Sequence, residues 1–121
     1  MSWIETPIIE KLGEYLDLAA YRQTLVTSNL ANIDTPGYRT RDINFEKEMR
    51  QAEERFLPAA LQPRVIEVGG LIERPDGNNV NPDRESLLLA RTQLQFRLGV
   101  EFLRQEFQLI SSAVKEGEAV R

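Results

Sequence analysis

The stretch that decides the fold is residues 28–46, which read SNLANIDTPGYRTRDINFE. It begins inside a helical pattern and contains the pair Pro36-Gly37, in which Pro presets φ and Gly tolerates a positive φ. The pair therefore predicts a type II turn that ends the helix. Asn29 and Asn32 are short amides near that helix end, where they can bond freed carbonyls or a neighbouring backbone. On chemistry alone, the stretch indicates a helix stop followed by a turn.

Upstream of this stretch, the chain carries a helical apolar pattern. Thr6 can cap the first helix, and Pro7 can occupy its first position. Apolar residues then recur at steps that suit a coiled-coil seam. The seam comprises Ile9, Leu12, Leu16, Ala19, Val26, Leu30 and Ile33. A helix over residues 7–32 would be about 39 Å long at 1.5 Å per residue.

Downstream, a second and longer helix is predicted. Asn81 can cap it, Pro82 can open it, and Gly117 is a stop signal. Its predicted seam comprises Leu89, Phe96, Val100, Leu103, Phe107, Ile110 and Val114. Because the chain must return between the two helices, we expect them to pair antiparallel as a coiled-coil-like hairpin in a mainly α fold.

Between the helices, residues 34–81 hold more than half of the prolines and glycines. A short extended piece is predicted at residues 43–45 and a short helix at residues 46–57. Residues 65–68 and 71–72 could form a small hairpin around Gly69-Gly70. This irregular middle has few apolar residues to bury and could be disordered in the free subunit. The chain is therefore divided into three segments: an N-terminal helix (1–33), the middle (34–81) and a C-terminal helix (82–121).

Composition excludes several classes of function. The 121 residues carry a formal net charge of −4 and include neither Cys nor His. A negative chain lacks the basic footprint of a nucleic-acid-binding protein. Without Cys or His, thiolate nucleophiles and the commonest general base and metal ligand are missing. No secretory signal or membrane-spanning segment is recognisable, and we expect no enzyme activity, cofactor or metal.

Each predicted helix has more apolar residues than one seam can use. The off-seam residues that we assign to an assembly interface are Leu18, Leu25, Leu94, Leu98, Phe102 and Leu109. A helix that is apolar on more than one side needs more than one neighbour. Because a single hairpin cannot supply those neighbours, we expect this chain to pack against other subunits.

The run SNLANIDTPGY resembles the N-terminal signature of bacterial flagellar rod, hook and filament-junction proteins. The continuation RTRDINFE narrows the resemblance to the proximal rod proteins of the flagellar basal body. The residues that carry it are Ser28, Asn29, Ala31, Asn32, Thr35, Pro36, Gly37, Tyr38, Arg41, Asp42 and Phe45. The resemblance implies a structural subunit whose terminal helices self-assemble into the axial shaft that transmits torque for motility.

The resemblance also implies partners and a location. The partners would be copies of this chain, FlgC-like rod subunits, the adaptor FliE, the MS-ring protein FliF and the flagellar type III export apparatus. The location would be the periplasm-spanning rod, reached without a Sec-type signal peptide. Two alternatives stay open at this point: another rod subunit of the same family, FlgC-like in type, or a soluble coiled-coil adaptor or chaperone.

Overall fold

The computed structural model describes residues 7–55 and 62–119, with side chains to residue 117. In chain order the elements are α1 (Pro7–Ala31), β1 (Arg41–Ile43), α2 (Phe45–Glu54), β2 (Val65–Glu67) and α3 (Pro82–Ala119). The predicted cap at Thr6 and the predicted end of the short helix near Leu57 lie outside the described residues. Among the helices described, none combines the length and apolarity needed to cross a bilayer.

The two long helices pair antiparallel, as the sequence predicts. α1 has 25 residues and α3 has 38, which correspond to about 37 Å and 57 Å. The end of α1 meets the start of α3, where Asn29 donates to Glu85 at 3.0 Å. Further along, Gly99 faces Leu16 so closely that a Cβ on Gly99 would lie 2.7 Å from a Leu16 methyl. The helices therefore run side by side in opposite directions.

The start of α3 follows its predicted cap, but its end does not follow its predicted stop. The Asn81 side-chain oxygen accepts from the backbone N–H of Asp83 at 3.0 Å and of Arg84 at 3.2 Å. These bonds satisfy two of the N–H groups that the helix start leaves free, and Pro82 has none to satisfy. The helix then continues through Gly117 to Ala119. Gly117 keeps an ordinary helical φ there, so it does not act as the left-handed residue of a C-cap.

The face that α3 turns toward α1 differs from the predicted seam. Glu85, Leu88, Thr92 and Gly99 are its buried positions. Three predicted seam residues are instead open to solvent, with Phe96 39%, Phe107 46% and Val114 44% exposed. At Gly99 the side chains of Leu16 and Tyr15 fill the space that a side chain would need, so α3 meets α1 there through a glycine rather than through a phenyl ring.

The small sheet also pairs differently from the prediction. β1 and β2 are antiparallel, with Asp42 opposite Ile66. The predicted hairpin between residues 65–68 and 71–72 is therefore wrong. The Val68 N–H donates to Thr40 O at 2.9 Å, which extends the β1–β2 ladder, while Ile72 is 90% exposed. The short helix was predicted, and α2 begins at Phe45, the residue after its cap, Asn44. The extended piece predicted at residues 43–45 overlaps β1 only at Ile43, because the strand lies at residues 41–43.

Candidate functional site

The Pro-Gly pair forms the predicted type II turn. Gly37 has φ +75°, and the Tyr38 N–H donates to Thr35 O at 3.2 Å. A positive φ at the third residue and a bond from the fourth to the first define this turn type. The Gly37 N–H also donates to Asp76 O at 2.8 Å. The turn is therefore tied to the segment that leads into α3.

Asn29 joins three parts of the chain through one buried amide. Its NH₂ donates to Arg41 O at 2.8 Å and to a Glu85 carboxylate oxygen at 3.0 Å. Its oxygen accepts from the Tyr38 hydroxyl at 2.9 Å and from the Arg41 N–H at 3.1 Å. Both polar atoms thus have partners although the side chain is fully buried, which is the condition under which a polar group is tolerated inside a protein.

Two further amides hold the segment that follows α1. The Asn78 NH₂ donates to Asn32 O and to Thr35 O, each at 2.9 Å. The Asn79 oxygen accepts from the Thr40 N–H at 2.7 Å. Carbonyls that a helix end leaves free are therefore satisfied by side chains more than forty positions later in the chain. Sequence reasoning did not identify these contacts, because a spacing of that size carries no local pattern.

A network of charged side chains joins α1, β1 and the start of α3. Arg22 binds both carboxylate oxygens of Asp42 at 3.0 Å. Arg84 donates to Asp42 at 2.8 Å and to Glu85 at 2.6 Å. Two guanidinium groups and two carboxylates balance in charge, which lets Asp42 and Glu85 be buried with partners. We call Arg22, Asn29, Asp42, Arg84 and Glu85, with Asn78 and Asn79, the motif junction.

The other residues of the family motif lie around this junction. Ser28 and Tyr38 bring their hydroxyls to 3.4 Å, and the Thr35 hydroxyl donates to the Asn32 side chain at 3.0 Å. Phe45 packs edge-on against Tyr15, with ring centroids 5.4 Å apart. Five motif residues have exposed side chains, namely Ser28, Ala31, Thr35, Pro36 and Arg41. Sequence reasoning missed the roles of Arg22, Arg84 and Glu85, whose helical positions look like ordinary charged surface.

Beyond the junction, α3 exposes a stripe of large apolar side chains. This leucine stripe comprises Leu87, Leu94, Leu98, Phe102 and Leu109, which are 48% to 64% exposed. Four of the six residues assigned to an assembly interface belong to it. Leu18 is a correction, because it is completely buried within the subunit and has no surface to offer a neighbour. Leu25 is half-buried and lines a shallow hollow with Tyr21, Val65 and Ile66.

The middle of the stripe borders an apolar hollow between α1, α2 and α3. The hollow has a volume of about 340 Å³ and is lined by Ile8, Lys11, Leu12, Tyr15, Met49, Leu98, Gly99 and Phe102. Burial raises the pKa of the Tyr15 hydroxyl, and a hydrogen bond with Gln95 opposes part of that rise. The lining is suited to contact with apolar side chains rather than to acid–base chemistry.

Nothing in the described residues gathers three or more His, Cys, Asp or Glu side chains into a possible metal site. The two buried carboxylates of the junction are held by arginines and an amide. What the arrangement does is hold one end of the hairpin in a fixed shape and leave an apolar stripe open along α3.

Comparison with known proteins agrees with this arrangement. Residues 16–39, which contain the end of α1 and the Pro-Gly turn, match the family described as "Flagella basal body rod protein". The flagellar basal body rod protein FlgB of Escherichia coli K12 is 32% identical over 86% of this chain and 90% of its own length. The FlgB protein of Salmonella typhimurium is 30% identical with the same coverage. That of Bacillus subtilis is 26% identical over 91% of this chain and 95% of its own length. The chain therefore belongs to the FlgB family of flagellar basal body rod proteins.

Proposed function

We propose that this chain, a structural subunit of the flagellar basal body rod, assembles into the axial shaft through the leucine stripe of α3. The observation that supports this most directly is the exposure of five large apolar side chains along one helix. An exposed apolar row of this size on a protein surface marks an interaction site. Neighbouring subunits of the rod are the surfaces that would cover it.

The energetics fit a shaft that resists twisting. Burying a fully exposed Leu or Phe side chain contributes about 1.5–3 kcal/mol. The five stripe residues are 48% to 64% exposed, so each would add about half of that, and the gain is spread over many contacts. A contact between two different surfaces of identical subunits does not close on itself and generates a helical filament. Torque would then be carried by many moderate contacts in parallel, none of which has to be strong alone.

The division of labour within the chain follows from this role. The segments 1–33 and 82–121 supply the helices that pack into the shaft, and the segment 34–81 joins them and holds the corner. Membership of the rod family supports association with other rod proteins. By resemblance, the more specific partners are FlgC-like subunits, the adaptor FliE, the MS-ring protein FliF and the type III export apparatus. The location proposed by the same resemblance is the periplasm-spanning rod, which the chain would reach without a Sec signal peptide.

The alternatives weighed from the sequence are not favoured. The similar proteins named above are FlgB proteins rather than FlgC-like subunits, adaptors or chaperones. The role proposed here needs no catalysis, cofactor, small-molecule substrate or nucleic acid. It needs only the folded motif junction and the exposed leucine stripe.

A test places a charge in the stripe. Leu98→Asp and Phe102→Asp are each expected to abolish swimming, because a carboxylate buried against an apolar neighbour costs several kcal/mol. The subunit should still fold, since both side chains are about half exposed. The measurements are swimming in soft agar, circular dichroism of the purified subunit and detection of the exported chain.

Gln108→Asp is the matched control, because Gln108 is an exposed polar residue on the same helix. This variant should swim normally. If Leu98→Asp and Phe102→Asp also swim normally, the stripe is not an assembly surface and the proposal is wrong.

A further inference from the structure

A second open surface lies between α1 and α3, away from the leucine stripe. This groove has a volume of about 490 Å³ and is lined by Ala20, Gln23, Thr24 and Thr27 of α1 and by Phe96 of α3. We call it the threonine groove. One wall is made of three small side chains and Gln23, and the other is the Phe96 ring, which is 39% exposed. The shape is that of a shallow trough with space for inserted side chains.

The threonines of the groove do not oppose an apolar occupant. The Thr24 hydroxyl donates to Ala20 O at 3.1 Å, and the Thr27 hydroxyl donates to Gln23 O and to Thr24 O. Each hydroxyl is therefore satisfied by its own helix. Covering the groove would leave neither threonine hydroxyl without a partner, so the usual penalty for burying a hydroxyl is avoided.

The threonine groove and the leucine stripe face different directions on the same hairpin. Phe96 and Leu98 are two residues apart on α3, so their side chains point about 160° apart round the helix axis. One neighbouring helix cannot cover both surfaces. The two surfaces also match in length, since residues 20–27 and residues 94–102 extend about 10 Å and 12 Å along their helices.

We infer that the threonine groove receives the leucine stripe of a second copy of this chain. Leu94, Leu98 and Phe102 of one subunit lie against Ala20, Thr24, Thr27 and Phe96 of the next. The stripe is the occupant of choice because it is apolar, exposed and of fitting length, and because it faces away from the groove of its own subunit. The leucine stripe and the threonine groove are two different surfaces, so each subunit can bind one neighbour on each side. Such a contact repeats from subunit to subunit without forming a closed ring. The inference rests on the proposed role in the rod and specifies which two surfaces meet.

Disulfide trapping tests this pairing directly, because the chain has no Cys of its own. The key variant combines Thr24→Cys with Leu98→Cys and is expressed as the sole copy in cells that swim. A disulfide needs Cα atoms about 4.4–6.8 Å apart, so oxidation of isolated basal bodies should link subunits only where groove and stripe touch. The expected result is a ladder of covalent dimers, trimers and higher multimers on a denaturing gel.

Three controls separate the possible arrangements. Thr24→Cys with Gln108→Cys moves the second thiol to the polar side of α3, and we expect at least about tenfold less multimer because the thiols no longer meet. Neither Thr24→Cys alone nor Leu98→Cys alone can extend a ladder. Abundant dimers from Leu98→Cys alone would mean that stripe packs on stripe, which overturns the inference.

Further double-cysteine variants allow for small shifts in how the two helices align. Each combines one cysteine at position 20, 24 or 27 with one at position 94, 98 or 102. No multimer from any of these pairs, in basal bodies that contain the chain, overturns the inference while the rod function stands. Basal bodies that lack the chain in swimming cells would overturn the proposed function instead.

Discussion

The motif junction and the distal half of α3 distribute polarity in opposite ways. The junction buries charged and amide side chains and gives them partners, as Asn29, Asp42 and Glu85 illustrate. The distal half of α3 exposes large apolar side chains such as Phe102, Phe107 and Leu109. A folded monomer usually does the reverse in both places. The difference teaches that one region serves the fold of the subunit and the other serves contacts beyond it.

Physical chemistry explains why the two kinds of region must be kept apart. A buried polar network stabilises a unique shape only if each member is satisfied within it, so it depends on the subunit alone. An exposed apolar stripe gains free energy only when something covers it, so it depends on a neighbour. Substitutions in the two regions should therefore separate stability of the subunit from assembly.

The largest expected effect comes from removing the centre of the charge network. Asp42→Ala takes away the carboxylate shared by Arg22 and Arg84. Breaking a buried ion pair leaves an uncompensated charge, so we expect the free energy of unfolding to fall by about 4 kcal/mol. Urea unfolding of the purified subunit, followed by circular dichroism, measures this loss.

Asp34→Ala is the control for that experiment, because Asp34 is an exposed carboxylate at the end of α1. Its removal should change stability by less than about 0.5 kcal/mol. Equal free energies of unfolding for the Asp42→Ala variant and the unaltered chain would show that the charge network does not stabilise the motif junction.

A pair of leucine substitutions compares the two regions again, with a smaller expected loss in the free energy of unfolding. Leu18→Ala should lower the free energy of unfolding by about 3 kcal/mol, because Leu18 is completely buried and its removal leaves a cavity. Leu98→Ala should lower it by only about 1 kcal/mol, since about half of the Leu98 side chain is already exposed. Thermal and urea unfolding of the two variants side by side decide the matter. A larger loss for Leu98→Ala would reverse the assignment of these two residues.

The smallest of these effects concerns the Pro-Gly turn. Gly37→Val forces a β-branched residue into φ +75°, at an expected cost of about 2 kcal/mol. The matched control is Gly69→Val, where a Cβ meets open space and φ is not left-handed. Unfolding measurements should separate the two variants. If the two variants lose the same free energy of unfolding, then the positive φ at Gly37 does not strain a β-branched residue and the prediction is wrong.

The sequence predicts the long helices, the cap at Asn81 and the type II turn because each depends on neighbouring residues. Capping and turn formation act over two to four positions, so they are visible in a short window. The excess of apolar residues was also visible, and with it the expectation of packing between subunits.

The sequence does not predict which face of α3 meets α1, nor the partner of β2. The first depends on the absent side chain of Gly99 opposite Leu16, and an apolar pattern favours Phe96 over a glycine. The second depends on a ladder between residues 41–43 and 65–67, whose register no local signal specifies. The partners of Asn29 and of Asp42 likewise come from distant positions, so their roles appear only when the chain is folded.

The link between Asn29 and Glu85 has a consequence for the order of folding. These residues are 56 positions apart, and closing so long a loop costs conformational entropy before any contact repays it. A polypeptide that emerges N-terminus first, from a ribosome or from a narrow channel, cannot complete the motif junction until residue 85 of its 121 residues has come out. Until then the first helix lacks its distant caps and counterions, so the chain stays pliable until the start of α3 is available and becomes rigid afterwards.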